Sequence, residues 1–366
     1  MSDTTSDSMT AMIADTAERL FSDFAAQAFA AIPKRPGDGA LPWDAPMWQA
    51  VEELGFPLAL LYEASGGFDL DPLSALGLVR QAAAHALPLP IGETMLANRV
   101  LAQAGLALAD GPAALVAGVS ITRGGDSWRL SGAATGVPWG RHLQTVVICD
   151  ASGRIARLTG GWHVDEGRNI AGEPRDTLHF ELAVDKADTA QSSFTPDLVN
   201  GLGALIRAQA LSGALEGVLK RCIAYVTERV QFGRPLGKFQ AIQHNIAIMA
   251  TNTAAARAGA DMAAAAFPDV LSDPARFLRQ VAAAKLRAGE AASLCAPLAH
   301  QVHGAIGVTR EYALHPLTTR LWAWRDEHGS ESDWADHLGA EALAQGAQGY
   351  WPYLTEGTAT QTGDLT

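Results

Sequence analysis

The chain has 366 residues, of which 48% are hydrophobic and 18% are charged. This length is too great for one ordinary hydrophobic core, so two or three domains are expected. The formal net charge of −12 argues against partners such as nucleic acid or an anionic membrane surface. An anionic small molecule is not excluded, because it needs only a local cationic pocket.

The cysteines and the N-terminus indicate a cytoplasmic protein. Cys149, Cys222 and Cys295 are far apart and form no Cys-x-x-Cys pair, a pattern typical of reduced thiols. The histidines form neither a His-Glu-x-x-His motif nor a cluster with cysteine, so no metal site is predicted. The polar, acidic N-terminus lacks the basic and apolar regions of a signal peptide, and no apolar run of about 18 residues predicts a membrane span.

Residue patterns change twice along the chain, which predicts a mainly α-helical fold with a small central β domain. Residues 1–112 show helix-like spacing of apolar residues, a Gly66-Gly67 turn and a helix that ends at Gly105. Residues 113–195 contain short β-branched runs separated by glycine-rich turns, the pattern of a small β domain. The last strand of this domain is predicted in the segment Asp176–Val184.

Residues 196–355 are predicted to form a bundle of long helices. Apolar residues there recur every four or three positions, as one buried face of a helix does; they are Leu211, Leu215, Val218, Cys222 and Tyr225. A later helix, between Phe277 and Leu298, is rich in alanine, which lets neighbouring helices approach closely. Residues 356–366 are predicted to be a flexible tail.

The segment from Tyr225 to Met249 is helical in pattern on both sides of a sharp interruption. The interruption is Phe232-Gly233-Arg234-Pro235, and it comes just after Arg229 and Gln231. From these residues alone, glycine and proline simply end a helix, and the arginine is a solvated charge at the helix C-terminus.

Three segments, in order, resemble the acyl-CoA dehydrogenase family. The corner segment from Tyr225 to Met249 resembles the helix–turn–helix of that family. The segment from His300 to Trp322 resembles its Gln-x-x-Gly-Gly-x-Gly motif, and the segment from Met47 to Leu76 resembles its N-terminal helices and Gly-Gly turn. Together the matches extend from about residue 48 to residue 334.

This resemblance implies a three-part fold and a known reaction. The fold is an N-terminal helical domain, a β-barrel-like middle domain and a C-terminal four-helix bundle. In the reaction, a carboxylate removes the α proton of an acyl-CoA thioester while the β hydrogen leaves as hydride to FAD. Family members are usually tetramers in which FAD lies at a subunit contact, and electron-transfer flavoprotein is the expected electron acceptor.

The resemblance also implies that the corner, residues 229–235, contacts FAD that is bound by a neighbouring chain. Arg229 would pair with the diphosphate, and Gln231, Phe232 and Gly233 would shape the turn against it. A second segment would approach the adenosine part of FAD, where glycine permits close contact; it contributes Gln301, Gly304 and Gly307.

The catalytic glutamate of the family has no counterpart at its usual positions. In one branch of the family, the base falls on His328, and in a second branch it falls on Gly203. A neutral histidine is able to accept a proton, and Glu327 is one residue away, so both remain weak candidates for the base. Glu331 and Glu216 are more remote carboxylates.

The β domain departs from the family as well. It lacks the Thr-Glu-Pro-containing loop that contacts the flavin ring in other members. The groups that hold the flavin ring and move the proton are therefore missing, whereas those that reach a neighbour's diphosphate are present. This combination resembles the glutamate-lacking partner chain of heteromeric acyl-CoA dehydrogenases that shorten steroid side chains. It implies an α2β2 heterotetramer and a companion chain with the glutamate. The small residues Gly201, Gly203 and Ala204 at the start of the bundle, with the reduced β domain, lead us to expect room for a bulky acyl group.

Three other functions are compatible with the same residues. The chain could be a homotetrameric dehydrogenase that uses His328 or Glu327 as its base. It could be a flavin-dependent monooxygenase or oxidase on the same scaffold. It could also be a non-catalytic scaffold subunit that has lost flavin, although both FAD-reaching segments are retained.

Overall fold

The computed structural model of the chain describes residues 3–33, 39–125 and 127–356. Over these residues, helices come first, a small β region follows, and a second set of helices completes the chain. This order confirms the predicted fold class. No helix in the described ranges is both long enough and apolar enough to cross a membrane.

The N-terminal region contains four helices: α1 (Asp3–Ala30), α2 (Ala45–Glu53), α3 (Pro72–Ala84) and α4 (Ile91–Ala104). Short polar side chains start two of them. The Asp44 carboxylate accepts a hydrogen bond of 2.9 Å from the Met47 amide before α2, and Asp71 accepts one of 3.1 Å from Ser74 before α3. The left-handed Gly105, with φ of 68°, ends α4 as predicted.

The β region consists of two four-stranded sheets, with the strand orders β1-β4-β5-β8 and β2-β3-β7-β6. Its strands are β1 (Ala113–Ala117), β2 (Val119–Gly124), β3 (Ser127–Pro138), β4 (Thr145–Cys149), β5 (Arg154–Leu158), β6 (His163–Asp165), β7 (Arg175–Val184) and β8 (Thr189–Gln191). β1 and β4 are parallel, and the other pairs are antiparallel. Apolar side chains from both sheets, including Leu130, Ile148 and Phe180, form one shared core.

The prediction that residues 176–184 form the last strand of the β region was wrong. β7 does cover this segment, but the short strand β8 follows it and pairs with β5 through Thr189–Gln191. Three residues are too few to show an alternating pattern, so the sequence contained no clear sign of this edge strand.

The C-terminal region is a helical bundle that packs on α3 and α4. Its helices are α5 (Pro196–Glu228), α6 (Gln240–Ala265), α7 (Pro274–His303), α8 (His315–Trp324) and α9 (Glu331–Glu356). α5 lies at the centre and is buried along most of its length. α9 ends at Glu356, the first residue of the predicted tail, and residues 357–366 lie outside the described residues.

Close helix approach in this bundle depends on small residues. Gly213 of α5 faces α3, and a Cβ atom at Gly213 would lie 1.9 Å from the backbone oxygen of Arg80. No side chain fits at that distance, so α5 and α3 are in contact through their backbones.

We expect Gly213→Ala to lower the free energy of unfolding by about 3 kcal/mol, because α3 and α5 must separate to admit the methyl group. Gly339→Ala is the matched control. Gly339 is an exposed glycine of α9 with open space around it, so alanine there should raise stability by about 0.5–1 kcal/mol. Urea denaturation measures both, and equal effects of the two substitutions would contradict the described packing.

Candidate functional site

The corner after α5 is a tight hairpin that faces outward. Two short strands, β9 (Val230–Gln231) and β10 (Arg234–Pro235), pair in antiparallel fashion around Phe232 and Gly233. Both central residues have positive φ, 54° for Phe232 and 79° for Gly233, as two-residue hairpin turns of type I′ require. The left-handed conformation is uncommon and unfavourable for a bulky residue such as phenylalanine.

Phe232 projects into solvent and is 89% exposed. Its ring meets the edge of Phe239 at 6.1 Å, and the Arg234 guanidinium lies over Phe239 at 4.2 Å. Arg229 is also exposed and forms no ion pair with another described residue. The corner therefore presents a free cation, hairpin amide groups and an aromatic ring to whatever lies against it.

The second predicted segment follows the end of α7. Gln301 is exposed, and Gly304 turns the chain with φ of 63° and ψ of −140°. A Cβ atom at Gly304 would have open space around it, whereas one at Gly307 would lie 2.8 Å from the Cβ of His303. Packing within the chain therefore accounts for glycine at 307 without any ligand.

The structure brings these two segments together at one end of the bundle. Tyr225, one helical turn before Arg229, stacks on His303 of α7 with the ring centroids 4.5 Å apart. Its hydroxyl donates a 3.3 Å hydrogen bond to the His303 carbonyl oxygen. The Tyr225–His303 contact thus places both segments at the same end of the bundle, where Arg229, Phe232 and Gln301 are exposed and Gly307 is buried.

The two family positions for the catalytic base also meet in space. A Cβ atom at Gly203 of α5 would lie 2.3 Å from the ring of His328, in the loop between α8 and α9. His328 has a left-handed backbone, with φ of 57°. Burial, followed by the charge of Arg207, lowers the pKa of His328 to about 4, so its ring is neutral near pH 7. Neither position supplies a carboxylate.

Glu327 is the counter-ion of two buried arginines. Its carboxylate lies 2.8 Å from Nε of Arg175 and 2.6 Å from Nε of Arg207. Burial alone would raise the pKa of Glu327, but the two guanidinium groups lower it well below its usual value. This engagement argues against Glu327 as a catalytic base, because a base must take up and release a proton near neutral pH.

Further ion pairs extend this contact into a network of three carboxylates and three guanidinium groups. Arg207 pairs with Glu93 of α4 at 2.6 Å, and Glu173 pairs with both Arg175 and Arg320 at 2.9 Å. Trp324 adds a 2.8 Å hydrogen bond to Glu173. The network joins the start of β7 to α4, α5 and α8, and its charges balance.

None of the three arginines of this network was predicted as a functional residue. One signal was available for Arg207, because it lies four residues before Leu211 and so continues the buried stripe of α5. A charged residue on a buried stripe must find a partner. The partner is Glu327, which is 120 positions away in the sequence, so the pairing depends on the tertiary fold.

The network fills the crevice between the β region and the bundle. The cavity beside Gly203, Arg207 and His328 has a volume of about 30 Å³, and the one beside Trp139 and Arg175 has about 40 Å³. Such volumes hold about one to three water molecules, whereas small-molecule sites measure roughly 300–1,000 Å³. Neither cavity is large enough for a flavin ring with the side chains in these positions. The small residues at the start of α5 leave little further room, because a Cβ atom at Gly201 would lie 2.5 Å from the Leu278 side chain.

Lys285 of α7 fixes the loop that carries Glu327 and His328. Its ammonium group donates hydrogen bonds of 2.5 Å to the Arg325 carbonyl and 2.8 Å to the Gly329 carbonyl. Burial lowers the pKa of Lys285 to about 8. These contacts hold the loop at both ends, so the position of Glu327 between the arginines is fixed.

Comparison with known proteins identifies the family of this chain. The pattern for the acyl-CoA dehydrogenase C-terminal domain matches residues 203–326. Acyl-CoA dehydrogenase IpdE2 from Mycobacterium tuberculosis is 31% identical over 288 residues, which cover 75% of this chain and 79% of that protein. The chain belongs to the acyl-CoA dehydrogenase family. Members of this family are FAD-dependent flavoproteins, so the predicted family and its cofactor are confirmed.

Two solved structures show the acyl-CoA dehydrogenase fold over most of this chain. The ChsE4–ChsE5 complex from Mycobacterium tuberculosis matches with a TM-score of 0.79 and 20% identity, covering 92% of this chain and 97% of that one. A variant of the Tcur3481–Tcur3483 steroid ACAD matches with a TM-score of 0.77 and 23% identity, covering 94% and 99%. At these identities the likeness establishes the fold.

We expect Glu327→Gln to lower the free energy of unfolding by about 3–5 kcal/mol, because Arg175 and Arg207 would remain buried without a full counter-charge. Glu181→Gln is the matched control. Glu181 pairs with Arg129 on the surface, where both side chains are largely exposed, so its loss should leave the stability nearly unchanged. Urea denaturation at neutral pH compares the two variants, and similar values for both would contradict the account of the crevice.

Proposed function

We propose that this chain is one subunit of a heteromeric acyl-CoA dehydrogenase and completes an FAD site in a homologous companion chain. Arg229, Gln231, Phe232 and Gly233 contact the diphosphate side of that FAD. Gln301 and Gly304 contact its adenosine side. The companion holds the flavin ring and supplies the catalytic glutamate.

One observation carries this proposal: the crevice of this chain is closed by charge pairs while its FAD-reaching corner is open. The Arg175–Glu327–Arg207 contact occupies the crevice, and its cavities admit little more than water. Arg229, in contrast, is exposed and free of ion pairs among the residues that the structure describes. A chain that also held its own flavin ring would need an open crevice in addition to the open corner.

The free groups at the corner match the chemistry of a diphosphate. Arginine forms charge-assisted hydrogen bonds to phosphate oxygens, and the left-handed turn at Phe232-Gly233 points backbone toward the ligand. The exposed Phe232 ring offers an apolar surface beside the charge. FAD, when bound, accepts the hydride from the substrate; this chain's residues bind and orient it.

The substrate of the complex would be an acyl-CoA thioester with a bulky, steroid-type acyl group. Support comes from the similarity to the Tcur3481–Tcur3483 steroid ACAD and to the ChsE4–ChsE5 complex. We place the assembly in the cytoplasm as an α2β2 heterotetramer, with electron-transfer flavoprotein as its electron acceptor.

A second candidate function is a homotetrameric enzyme with His328 as the base. The neutral ring of His328, at the position where one family branch carries its glutamate, favours this function. The small cavity beside that ring opposes it, since no acyl thioester fits there without a rearrangement of the Glu327 network.

Arg229→Ala should weaken FAD binding by the assembled complex by about 10- to 100-fold, because one charge-assisted contact contributes roughly 1.5–3 kcal/mol. Arg123→Ala, at an exposed arginine of the β region, is the control and should leave FAD affinity unchanged. Flavin fluorescence titration of the complex gives both dissociation constants. Unchanged affinity in the Arg229 variant would rule out the assigned contact.

His328→Ala should leave the turnover number of the complex within about twofold of the unmodified enzyme, because the companion supplies the base. Steady-state rates with a saturating acyl-CoA measure this, after denaturation curves confirm folding. A loss of several orders of magnitude in a folded complex would identify His328 as the catalyst and favour the homotetrameric function.

A further inference from the structure

His303, the last residue of α7, lies between the two segments that the proposed function assigns to FAD. It is 3% exposed. Its Nδ1–H donates a 2.8 Å hydrogen bond to the Ala299 carbonyl oxygen of the preceding turn. The ring is therefore the Nδ1-protonated tautomer, and its bare Nε2 accepts a 3.3 Å hydrogen bond from the Tyr312 hydroxyl.

Three rings form a single cluster around this histidine. Tyr225 of α5 stacks on His303 at 4.5 Å with an interplanar angle of 29°, and Tyr312 packs against it at 4.9 Å. Tyr225 and Tyr312 meet edge to face at 6.1 Å. The cluster thus contains one residue from α5, one from the end of α7, and one from the segment that follows Gly304.

The position of the cluster links it to both FAD-reaching segments. Tyr225 precedes Arg229 by one helical turn, and the Arg229 amide donates a 2.9 Å hydrogen bond to the Tyr225 carbonyl oxygen. His303 follows Gln301 by two residues and immediately precedes the turn at Gly304. The His303 ring therefore contacts residues that adjoin both segments.

We propose that His303 is a positioning residue that fixes the Gln301–Gly304 turn relative to Arg229, so that the diphosphate and adenosine contacts of FAD form together. This inference rests on the proposed function. His303 touches neither FAD nor substrate; it acts through Tyr225 and Tyr312. A ring with two directional hydrogen bonds sets an orientation that an apolar side chain of the same size would leave free.

Protonation of His303 would disturb this arrangement. Burial lowers the pKa of His303, and the nearby His300 lowers it further, while the hydrogen bond to Ala299 acts in the opposite sense. The ring is therefore neutral at pH 7, and it gains a proton only below the ordinary histidine value of about 6.5. Protonated Nε2 can only donate, so the hydrogen bond to Tyr312 must reverse its direction, and a positive charge is placed in a buried cluster.

Two titratable groups that face the ring, Cys222 and Tyr312, keep their charge state in this range, and two further histidines lie beside the cluster: His300 on α7 and His315, which bonds to the Tyr312 carbonyl oxygen at 3.2 Å. The Cys222 thiol lies 4.0 Å from Nδ1, and burial raises its pKa to about 12. Burial also raises the pKa of Tyr312, which the charges of Arg221 and Glu228 influence in opposite directions. A change in FAD affinity between pH 7 and 5.5 that depends on this cluster would therefore report on histidine.

The test compares FAD affinity in three variants of the co-expressed complex. His303→Phe retains a ring but loses both hydrogen bonds, and Tyr312→Phe loses only the hydroxyl. His300→Phe is the matched control, because His300 lies on the same turn of α7 but bonds to Thr318 and stacks on Trp322 instead. Flavin fluorescence titration at pH 7.5 and pH 5.5 gives the dissociation constants, and denaturation curves confirm folding.

We expect His303→Phe to weaken FAD binding about tenfold at pH 7.5 and Tyr312→Phe to weaken it about threefold, from the loss of two hydrogen bonds and of one. The unmodified complex should bind FAD more weakly at pH 5.5, and His303→Phe should show a smaller dependence on pH. His300→Phe should behave like the unmodified complex at pH 7.5, where both histidine rings are expected to be neutral.

The outcomes separate this inference from the proposed function. If Arg229→Ala weakens FAD binding but His303→Phe and Tyr312→Phe do not, the positioning role is wrong and the composite site stands. If His300→Phe weakens binding as much as His303→Phe, the effect is a general loss of packing and the positioning role is also wrong. If Arg229→Ala has no effect, the composite site itself fails. Should His303→Phe not fold, Tyr312→Phe decides alone.

Discussion

The carboxylate of Glu327 lies between the guanidinium groups of Arg175 and Arg207, and the rest of the crevice depends on this contact. Buried ion pairs add little net stability, but the removal of one member leaves a charge that the interior cannot solvate. The contact therefore holds the β region against the bundle. Beside it the crevice has cavities of only about 30 and 40 Å³.

In the proposed composite site, the closed crevice and the open corner of this chain mean that two chains each supply part of the contacts to FAD. Phe232 has a left-handed backbone and a ring that is 89% exposed. Both features are energetically unfavourable, and no contact among the described residues of this chain compensates for the exposure of the ring. Both are explained if the hairpin meets a ligand that another subunit holds. The cluster of Tyr225, His303 and Tyr312 behind it gives that surface a fixed shape.

The helices and the family were predictable from the sequence, because apolar spacing and glycine positions act locally. Gly105 ends α4, and the buried stripe of α5 follows its four-and-three spacing. The sequence motifs assigned the catalytic base of two family branches to Gly203 and His328, and the structure places these two residues against each other. The pairing of Arg207 with Glu327 was not predictable, since it joins residues 120 positions apart through the tertiary fold.

The most direct test of the composite site is the FAD content and molecular mass of this chain, purified alone and after co-expression with a homologous chain that has the catalytic glutamate. Absorbance of released flavin gives the stoichiometry, and light scattering gives the mass. The account predicts no FAD in the lone chain, and about one FAD per pair of unlike chains in the complex. A lone chain that forms a tetramer with one FAD per subunit would contradict it.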